Sequence, residues 1–223
     1  MDEATVNGIR LAYRAAGNPD APPMVLLHAL GEDSTSWEHV IAACADDWRV
    51  YVPDLRGHGR SDWPGEYSFE RMRDDVLGLL DALGLARVAL VGHSLGGVVG
   101  YLLAEEHPDR ISALVLEDPP APLPANREMP VRPDGPETFD WGVVTGTFRQ
   151  RNDPDPAWWA NLTAITARTL IIAGGTASHI PQDTLAEMAA RIPGCRLVTI
   201  GAGHEVHVTR PDEFLAALTA FLS

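Results

Sequence analysis

A buried-strand pattern that runs directly into a glycine-rich turn most constrains how this chain can fold. Residues 88–91 form a short apolar run, and Gly92, Ser94 and Gly96 follow it at alternating positions. In a Gly-x-Ser-x-Gly turn the serine lies on a strained bend, and the flanking glycines leave no Cβ to collide with the adjoining strand and helix. Residues 98–106 contain no proline, so a helix can continue from the turn. The stretch predicts a strand–turn–helix unit with Ser94 at its apex; the simpler alternative is a serine that only caps a helix.

Apolar runs alternate with helix-forming segments along the remaining chain. The Asn7-Gly8 pair between residues 4–6 and 9–13 is a strong hairpin signal, which predicts an antiparallel pair at the start. Further apolar runs predict strands at residues 24–27, 50–52, 113–116, 169–173 and 197–200. Helical patterns cover residues 36–43, 69–83, 182–191 and 212–222. This order predicts an α/β fold with a mostly parallel, doubly wound sheet that is covered on both faces.

The charge balance disfavours several classes of partner. Asp and Glu number 31 against 17 basic residues, which gives a formal net charge of −14. Such an acidic chain is a poor match for nucleic acid or for an anionic membrane surface. Cys44 and Cys195 have no metal-binding spacing, so we expect both to be free thiols. The carboxylates of Asp75 and Glu105 are expected to lie on the solvated faces of helices. The acidic first residues and the lack of a membrane-length apolar run lead us to expect a cytoplasmic monomer or homodimer.

One segment, residues 119–167, interrupts the alternation of strands and helices. It contains no convincing strand, and its first part is rich in proline. An insertion of this length is usually functional or disordered. Its second part carries the aromatic residues Phe139, Trp141, Phe148, Trp158 and Trp159. We therefore predict a core formed by residues 1–118 and 168–223 and a short lid over residues 119–167, with Trp141 and Trp158 in contact with substrate. Trp158 and Trp159 could instead anchor the lid.

The base that could activate Ser94 has one strong candidate. A serine hydroxyl is a weak nucleophile until a histidine removes its proton and a carboxylate orients that histidine. His204 follows the last predicted strand, and loops that follow parallel strands form ligand sites. His207 is a nearby alternative, although the valines on either side of it suggest a packed segment. A lone histidine is more often a surface or packing residue, but the position of His204 favours it as the base.

Four motifs, taken in chain order, carry a family resemblance. They are His28-Ala29-Leu30-Gly31, Asp54-Leu55-Arg56-Gly57-His58-Gly59-Arg60-Ser61, the turn at Ser94, and Gly201-Ala202-Gly203-His204. Together they resemble the α/β-hydrolase superfamily over about residues 6–222. The resemblance implies that fold, a serine, acid and histidine as catalytic residues, and the backbone amides of Leu30 and Leu95 as donors to an oxyanion. Ala29 replaces the first glycine that the family usually has, and a backbone donor does not depend on that side chain.

The position of the acid departs from most members of the family. The loop after the penultimate strand, residues 174–181, contains no carboxylate, and Asp183 beyond it more naturally caps a helix. Some members, resembling haloalkane dehalogenases in this respect, carry the acid after the strand that follows the nucleophile helix. Asp118 occupies that place, and Glu117 is the adjacent alternative, whose side chain should point to the opposite side of the strand. The resemblance thus implies Asp118 as the acid.

The favoured function is a serine hydrolase that cleaves an ester, thioester or lactone of a small, partly apolar substrate through an acyl-Ser94 intermediate. One alternative is a non-catalytic small-ligand receptor on the same fold, because the usual position of the acid holds none. Another is cofactor-free C–C hydrolysis or perhydrolysis, since the fold does not choose the substrate. An epoxide hydrolase or dehalogenase is disfavoured, because those relatives carry aspartate where this chain has Ser94. The sequence implies no cofactor and no metal site, since it contains neither metal-ligand spacing nor a dinucleotide-binding motif.

Overall fold

One eight-stranded sheet forms the centre of the computed structural model, which describes residues 1–223. The strands are β1 (Asp2–Val6), β2 (Ile9–Ala16), β3 (Pro23–Leu27), β4 (Arg49–Pro53), β5 (Val88–His93), β6 (Ile111–Glu117), β7 (Arg168–Ala173) and β8 (Arg196–Thr199). The α-helices are α1 (Glu38–Cys44), α2 (Phe69–Ala82), α3 (Leu95–Glu106), α4 (Gly142–Asn152), α5 (Pro156–Asn161), α6 (Gln182–Arg191), α7 (Val206–Thr209) and α8 (Pro211–Leu222). None of these helices combines the length and the apolar content that a membrane crossing requires.

The sheet is parallel except at its N-terminal edge. Its strand order is β1-β2-β4-β3-β5-β6-β7-β8. β2 pairs antiparallel with both β1 and β4, whereas all the other neighbouring strands are parallel. Asn7 and Gly8 close the first hairpin with φ angles of 49° and 80°, the left-handed conformation that a two-residue hairpin turn needs. The prediction of an α/β fold with a mostly parallel sheet and an N-terminal antiparallel hairpin is confirmed.

Two hydrophobic cores lie on opposite faces of the sheet because side chains alternate along each strand. On β5, Val88 and Leu90 belong to the core that includes α2, α3 and α6. Ala89 and Val91 belong to the second core, which includes α1 and α8. The central strands are therefore buried on both faces, which explains why they appear in the sequence as nearly continuous apolar runs.

The turn between β5 and α3 is closely packed against the neighbouring strand. Ser94 has φ 50° and ψ −110°, a conformation that residues with a side chain rarely adopt. A Cβ at Gly92 would overlap the carbonyl oxygen of Gly96, and a Cβ at Gly96 would overlap the carbonyl oxygen of Leu27 on β3. Glycine at both positions lets α3 begin directly against the ends of β3 and β5. This contact holds Ser94 at the carboxyl edge of the sheet.

The insertion between β6 and β7 contains its helices in its second part. No α-helix or strand lies between the end of β6 and the start of α4 at Gly142. Phe139 stacks on His58 with ring centroids 5.4 Å apart, and Trp158 packs edge-on against Phe69 at 6.0 Å. These aromatic contacts attach the insertion to the sheet domain. The role of residues 119–167 as a lid stays a prediction.

Two carboxylates that were expected on solvated helix faces are buried. Asp75 on α2 is 1% exposed, and its carboxylate accepts a hydrogen bond from Arg56 Nη2 at 2.7 Å. Glu105 on α3 is 7% exposed, and burial together with the charge of Glu106 raises its pKa to about 8. The expectation was wrong for Asp75 because its partner lies in the loop after β4, a contact that no local pattern of α2 reveals.

The packing of Gly96 generates a stability prediction. The substitution Gly96→Ala is expected to lower the free energy of unfolding by about 1–3 kcal/mol, because the new methyl group forces α3 away from Leu27. Gly201→Ala serves as the control, since no atom lies within 4 Å of a Cβ built at that position. Urea unfolding followed by circular dichroism measures both variants. Equal stability of the two would contradict this account of the turn.

Candidate active site

Ser94 lies at the edge of the sheet with its side chain free of a structural role. It precedes α3, and its hydroxyl makes no capping hydrogen bond with that helix. The simpler interpretation, in which the serine only caps a helix, therefore does not hold. Ser94 lines a cavity of about 70 Å³. A half-buried serine whose hydroxyl faces a cavity from a strained turn is an arrangement that suits nucleophilic catalysis.

His204 and Asp118 meet at the same edge of the sheet. His204 Nδ1 lies 2.7 Å from Asp118 Oδ2, although the two residues are 86 positions apart in the chain. Asp118 directly follows β6 with φ 43°, and its side chain is fully buried. Since a carboxylate can only accept, Nδ1 carries the proton and Nε2 is left as the basic nitrogen. This orientation is the one that a general base requires.

The loop after β7, which lacks a carboxylate, supplies donors to Asp118 instead. The backbone N–H of Gly174 donates to Asp118 Oδ1 at 2.9 Å, the hydroxyl of Ser178 donates to Oδ2, and Gln182 Nε2 donates to Oδ1 at 3.3 Å. Burial alone would raise the pKa of Asp118, but the hydrogen bonds from His204, Ser178 and Gly174 outweigh burial and lower it. Asp118 is therefore ionised at neutral pH. Sequence reasoning missed these donors, whose only signal was a cluster of small polar residues where an acid is usual.

Glu117 points away from His204 and pairs with the other candidate histidine. Its carboxylate accepts from the backbone N–H of His207 at 2.8 Å and from His207 Nδ1 at 2.8 Å. Both side chains are almost fully buried. Asp183 lies on the exposed first turn of α6 and accepts a hydrogen bond from the N–H of Thr184 at 2.9 Å. The alternation of side chains at the end of β6 thus sends Asp118 to His204 and Glu117 to His207.

A buried charged cluster lies beside this site. His93 Nε2 donates to the carbonyl oxygen of His204 at 3.0 Å, and its Nδ1 lies 3.7 Å from Glu32 Oε1. Burial would lower the pKa of His93, but the carboxylates of Glu117 and Glu32 outweigh it and raise that pKa to about 9. His93 is thus a cation at neutral pH, and its hydrogen bond holds the loop that carries His204.

The same cluster offers the one group of potential metal ligands in the structure. Donor atoms of Glu32, His93 and His207 lie within 4.8 Å of one another. A proton and a metal compete for the same ring nitrogen, and the neighbouring carboxylates that raise the pKa of His93 to about 9 favour the proton. We therefore interpret the cluster as an ion-pair network.

Two backbone amides adjoin Ser94. Leu30 and Leu95 line the same cavity as the serine. Leu95 is the first residue of α3, where backbone N–H groups have no acceptor within the helix. Leu30 lies in the loop after β3, and the ring of His28 supports this loop. His28 Nδ1 donates to the carbonyl oxygen of Ala29 at 2.7 Å, and His28 Nε2 accepts from the backbone N–H of Leu55 at 2.9 Å. The arrangement can present two donors to an oxygen anion that forms at Ser94.

The structure does not bring Trp141 or Trp158 to the cavity beside Ser94. Trp158 is 8% exposed and packs on Phe69, where it lines a neighbouring groove that shares Phe69, Pro120 and Arg151 with the cavity beside Ser94. Trp141 lies beside Phe139 with ring centroids 6.1 Å apart, near the exposed first part of the insertion. The sequence favoured both at the substrate and left open that Trp158 anchors the insertion. The contact of Trp158 with Phe69 supports an anchoring role, and substrate contact by either tryptophan stays a prediction. The cavity residues that sequence reasoning missed include Phe69, Arg127 and Arg151.

The buried His93 cation makes protein stability depend on pH. Because its pKa is raised from 6.5 to about 9, the charged ring contributes stability that is fully present below pH 6.5 and is lost as the pH rises through 9. Over that interval the free energy of unfolding of the native protein is expected to fall by up to about 1.4 kcal/mol per pH unit relative to a His93→Gln variant. Urea unfolding at pH 6 to 9 measures the difference. Parallel curves for the two proteins would contradict a charged His93.

Comparison with known sequences identifies the family. The sequence profile of the alpha/beta hydrolase fold matches residues 22–168, which is more than half of the chain. The putative carbamate hydrolase RutD of Caulobacter vibrioides is 30% identical, and the alignment covers 100% of this chain and 98% of that protein. An uncharacterised protein of Mycobacterium tuberculosis is 42% identical over 50% of this chain, and the matched region spans only 33% of its length.

Comparison with solved structures agrees with the sequence comparison. A hydrolase from Pseudomonas aeruginosa PA01 has a TM-score of 0.88 and 31% identity, with 100% of this chain and 98% of that chain covered. An enol-lactonase from Burkholderia xenovorans LB400 has a TM-score of 0.84 and 27% identity, with 99% of each chain covered. The sheet order, the turn at Ser94 and these matches lead to one conclusion: the chain belongs to the α/β-hydrolase family.

Proposed function

We propose that the protein is a serine hydrolase that cleaves an ester, thioester or lactone of a small, partly apolar substrate through an acyl-Ser94 intermediate. The observation that carries this proposal is the 2.7 Å contact between His204 and a fully buried Asp118, at the edge of the sheet that holds Ser94. Burying a carboxylate is unfavourable unless it is hydrogen-bonded. The donors gathered around Asp118 meet that requirement and keep His204 in one tautomer.

The geometry supports a two-stage reaction. His204 Nε2 accepts the proton of the Ser94 hydroxyl as the serine oxygen attacks the carbonyl carbon. The negative charge that develops on the carbonyl oxygen is bound by the amides of Leu30 and Leu95. The same nitrogen of His204 then protonates the leaving alkoxide or thiolate, which leaves an acyl ester on Ser94. In the second stage water attacks that ester, transfers its proton to His204 and releases the acid and the free serine.

Relatives favour hydrolysis of a bond to a carbonyl carbon. One structural neighbour is described as an enol-lactonase, and one full-length relative is described as a putative carbamate hydrolase. The alternative of a non-catalytic receptor was motivated by the loop after β7, which contains no carboxylate. That motivation is weak once Asp118 is hydrogen-bonded to His204 from the neighbouring strand. The hydrolase is therefore favoured over the receptor, with Ser94, His204 and Asp118 as its catalytic residues.

Covalent labelling tests the nucleophile. An alkyl fluorophosphonate is expected to label Ser94 with one-to-one stoichiometry, because the hydroxyl is activated by His204. Ser94→Ala is expected to remove both the labelling and the hydrolysis of nitrophenyl esters while leaving thermal unfolding unchanged. Mass spectrometry of the intact protein measures the labelling. An unlabelled native protein would favour the receptor interpretation.

Substitution of the acid tests how His204 is oriented. Asp118→Asn is expected to lower kcat by about 10⁴-fold, as the corresponding change does in a serine protease, because an amide favours the wrong imidazole tautomer. Asp183→Asn is the matched control and is expected to leave kcat unchanged, since Asp183 lies on the exposed start of α6.

The two histidines provide a second comparison. His204→Ala is expected to lower kcat far more than His207→Ala, because His207 is engaged with Glu117. The reverse ranking would move the base to His207. Steady-state kinetics on a nitrophenyl ester, with thermal unfolding as a check on folding, measures both variants.

A further inference from the structure

The cavity beside Ser94 carries two positive charges. Arg127 and Arg151 line it together with the serine and with Leu30 and Leu95. Both arginines come from the insertion between β6 and β7, Arg127 from its irregular part and Arg151 from α4. In a chain with 31 acidic and 17 basic residues, a concentration of positive charge at this point runs against the overall composition.

The positions of the two arginines are built into the fold. Asn152, at the end of α4, accepts from the backbone N–H of Arg127 at 2.8 Å and donates to its carbonyl oxygen at 3.0 Å. Arg127 Nη1 in turn donates to the carbonyl oxygen of Arg151. Arg151 Nη2 donates to the carbonyl oxygen of Val144 at 3.2 Å, within the same helix. Backbone carbonyl oxygens therefore anchor both guanidinium groups, and both residues line the cavity.

Neither guanidinium is neutralised within the protein. No carboxylate forms an ion pair with Arg127 or Arg151, whereas the buried Arg56 is paired with Asp75. Arg151 Nε is buried and has no hydrogen-bond partner. Burial lowers the pKa of both arginines, and the charge of Arg127 lowers that of Arg151 further. Both arginine side chains are half-buried, and charges that are partly withdrawn from water are normally paired, so an anion in the cavity would satisfy these donors.

We propose that the substrate carries a carboxylate in addition to the ester or lactone group, and that Arg127 and Arg151 bind this carboxylate while Ser94 attacks the carbonyl carbon. The inference rests on the proposed function, since it names the substrate class of the same site. A carboxylate is the planar anion that a guanidinium binds with two parallel N–H···O bonds. Phe69, which lines the same cavity, contacts the apolar part of the substrate.

A pair of substrates that differ only in charge tests this proposal. The first is the nitrophenyl monoester of adipic acid (the hemiadipate), which ends in a carboxylate. The second is the nitrophenyl ester of adipamic acid (the adipamate), which ends in a neutral amide of nearly the same size. The native protein is expected to show a kcat/KM for the hemiadipate that is tenfold or more above that for the adipamate. Arg127→Gln and Arg151→Gln are each expected to reduce that preference about tenfold, because each removes a charged hydrogen bond. Arg149→Gln is the control, since Arg149 lies on the exposed side of α4 and should keep the native ratio.

The ratio of the kcat/KM values for the two substrates does not depend on the fraction of correctly folded protein, because both values are measured on one preparation. A native ratio at or below one, or a ratio that neither Arg127→Gln nor Arg151→Gln changes, would overturn the proposal.

A binding experiment separates failure of this inference from failure of the proposed function. Calorimetry on the Ser94→Ala variant compares monomethyl adipate, which has one carboxylate, with neutral dimethyl adipate. Monomethyl adipate is expected to bind more tightly than dimethyl adipate. When Arg127→Gln and Arg151→Gln are combined with Ser94→Ala, this difference in affinity is expected to disappear. Equal affinities in Ser94→Ala would contradict the carboxylate site. Tighter binding of monomethyl adipate by Ser94→Ala, together with a native protein that neither hydrolyses esters nor is labelled, would support the carboxylate site and refute the serine hydrolase.

Discussion

The contact between the start of α3 and the ends of β3 and β5 is the constraint on which the rest of the site depends. It is possible only because Gly92 carries no side chain against the carbonyl of Gly96, and Gly96 carries none against the carbonyl of Leu27. The approach forces Ser94 into a left-handed conformation and leaves the N–H of Leu95 free at the start of the helix. A single backbone contact therefore positions both the candidate nucleophile and one donor for the oxyanion.

The acid illustrates how a buried charge is distributed over several elements. Asp118 belongs to the end of β6, but the groups that stabilise its carboxylate come from the loop after β7 and from His204 after β8. A loop that lacks the usual acid thus still takes part in the site, as a set of donors. On the other side of β6, Glu117 holds His207 and contributes to the charge that keeps His93 protonated. Adjacent residues on one strand support two histidines of different function.

The insertion contributes charge to the cavity and uses its aromatic residues for packing. Phe139 and Trp158 attach the insertion to the loop after β4 and to α2. The attached insertion carries Arg127 and Arg151, which line the cavity beside Ser94. Under the proposed function the insertion would select the substrate by its charge, while the sheet domain would supply the reacting groups.

The sequence by itself determined the features that depend on local patterns. The periodicity of apolar residues and the Asn7-Gly8 turn predicted the sheet, and the glycine spacing located Ser94, because both reflect backbone geometry over a few residues. His204 and Asp118 were found as residues at strand ends. Only the tertiary structure decided which distant groups meet: the burial of Asp75 against Arg56, the packing of Trp158 on Phe69, and the presence of two arginines in the cavity at Ser94. These contacts join segments that are far apart in the chain, and side-chain partners across such distances leave no periodic signal in the sequence.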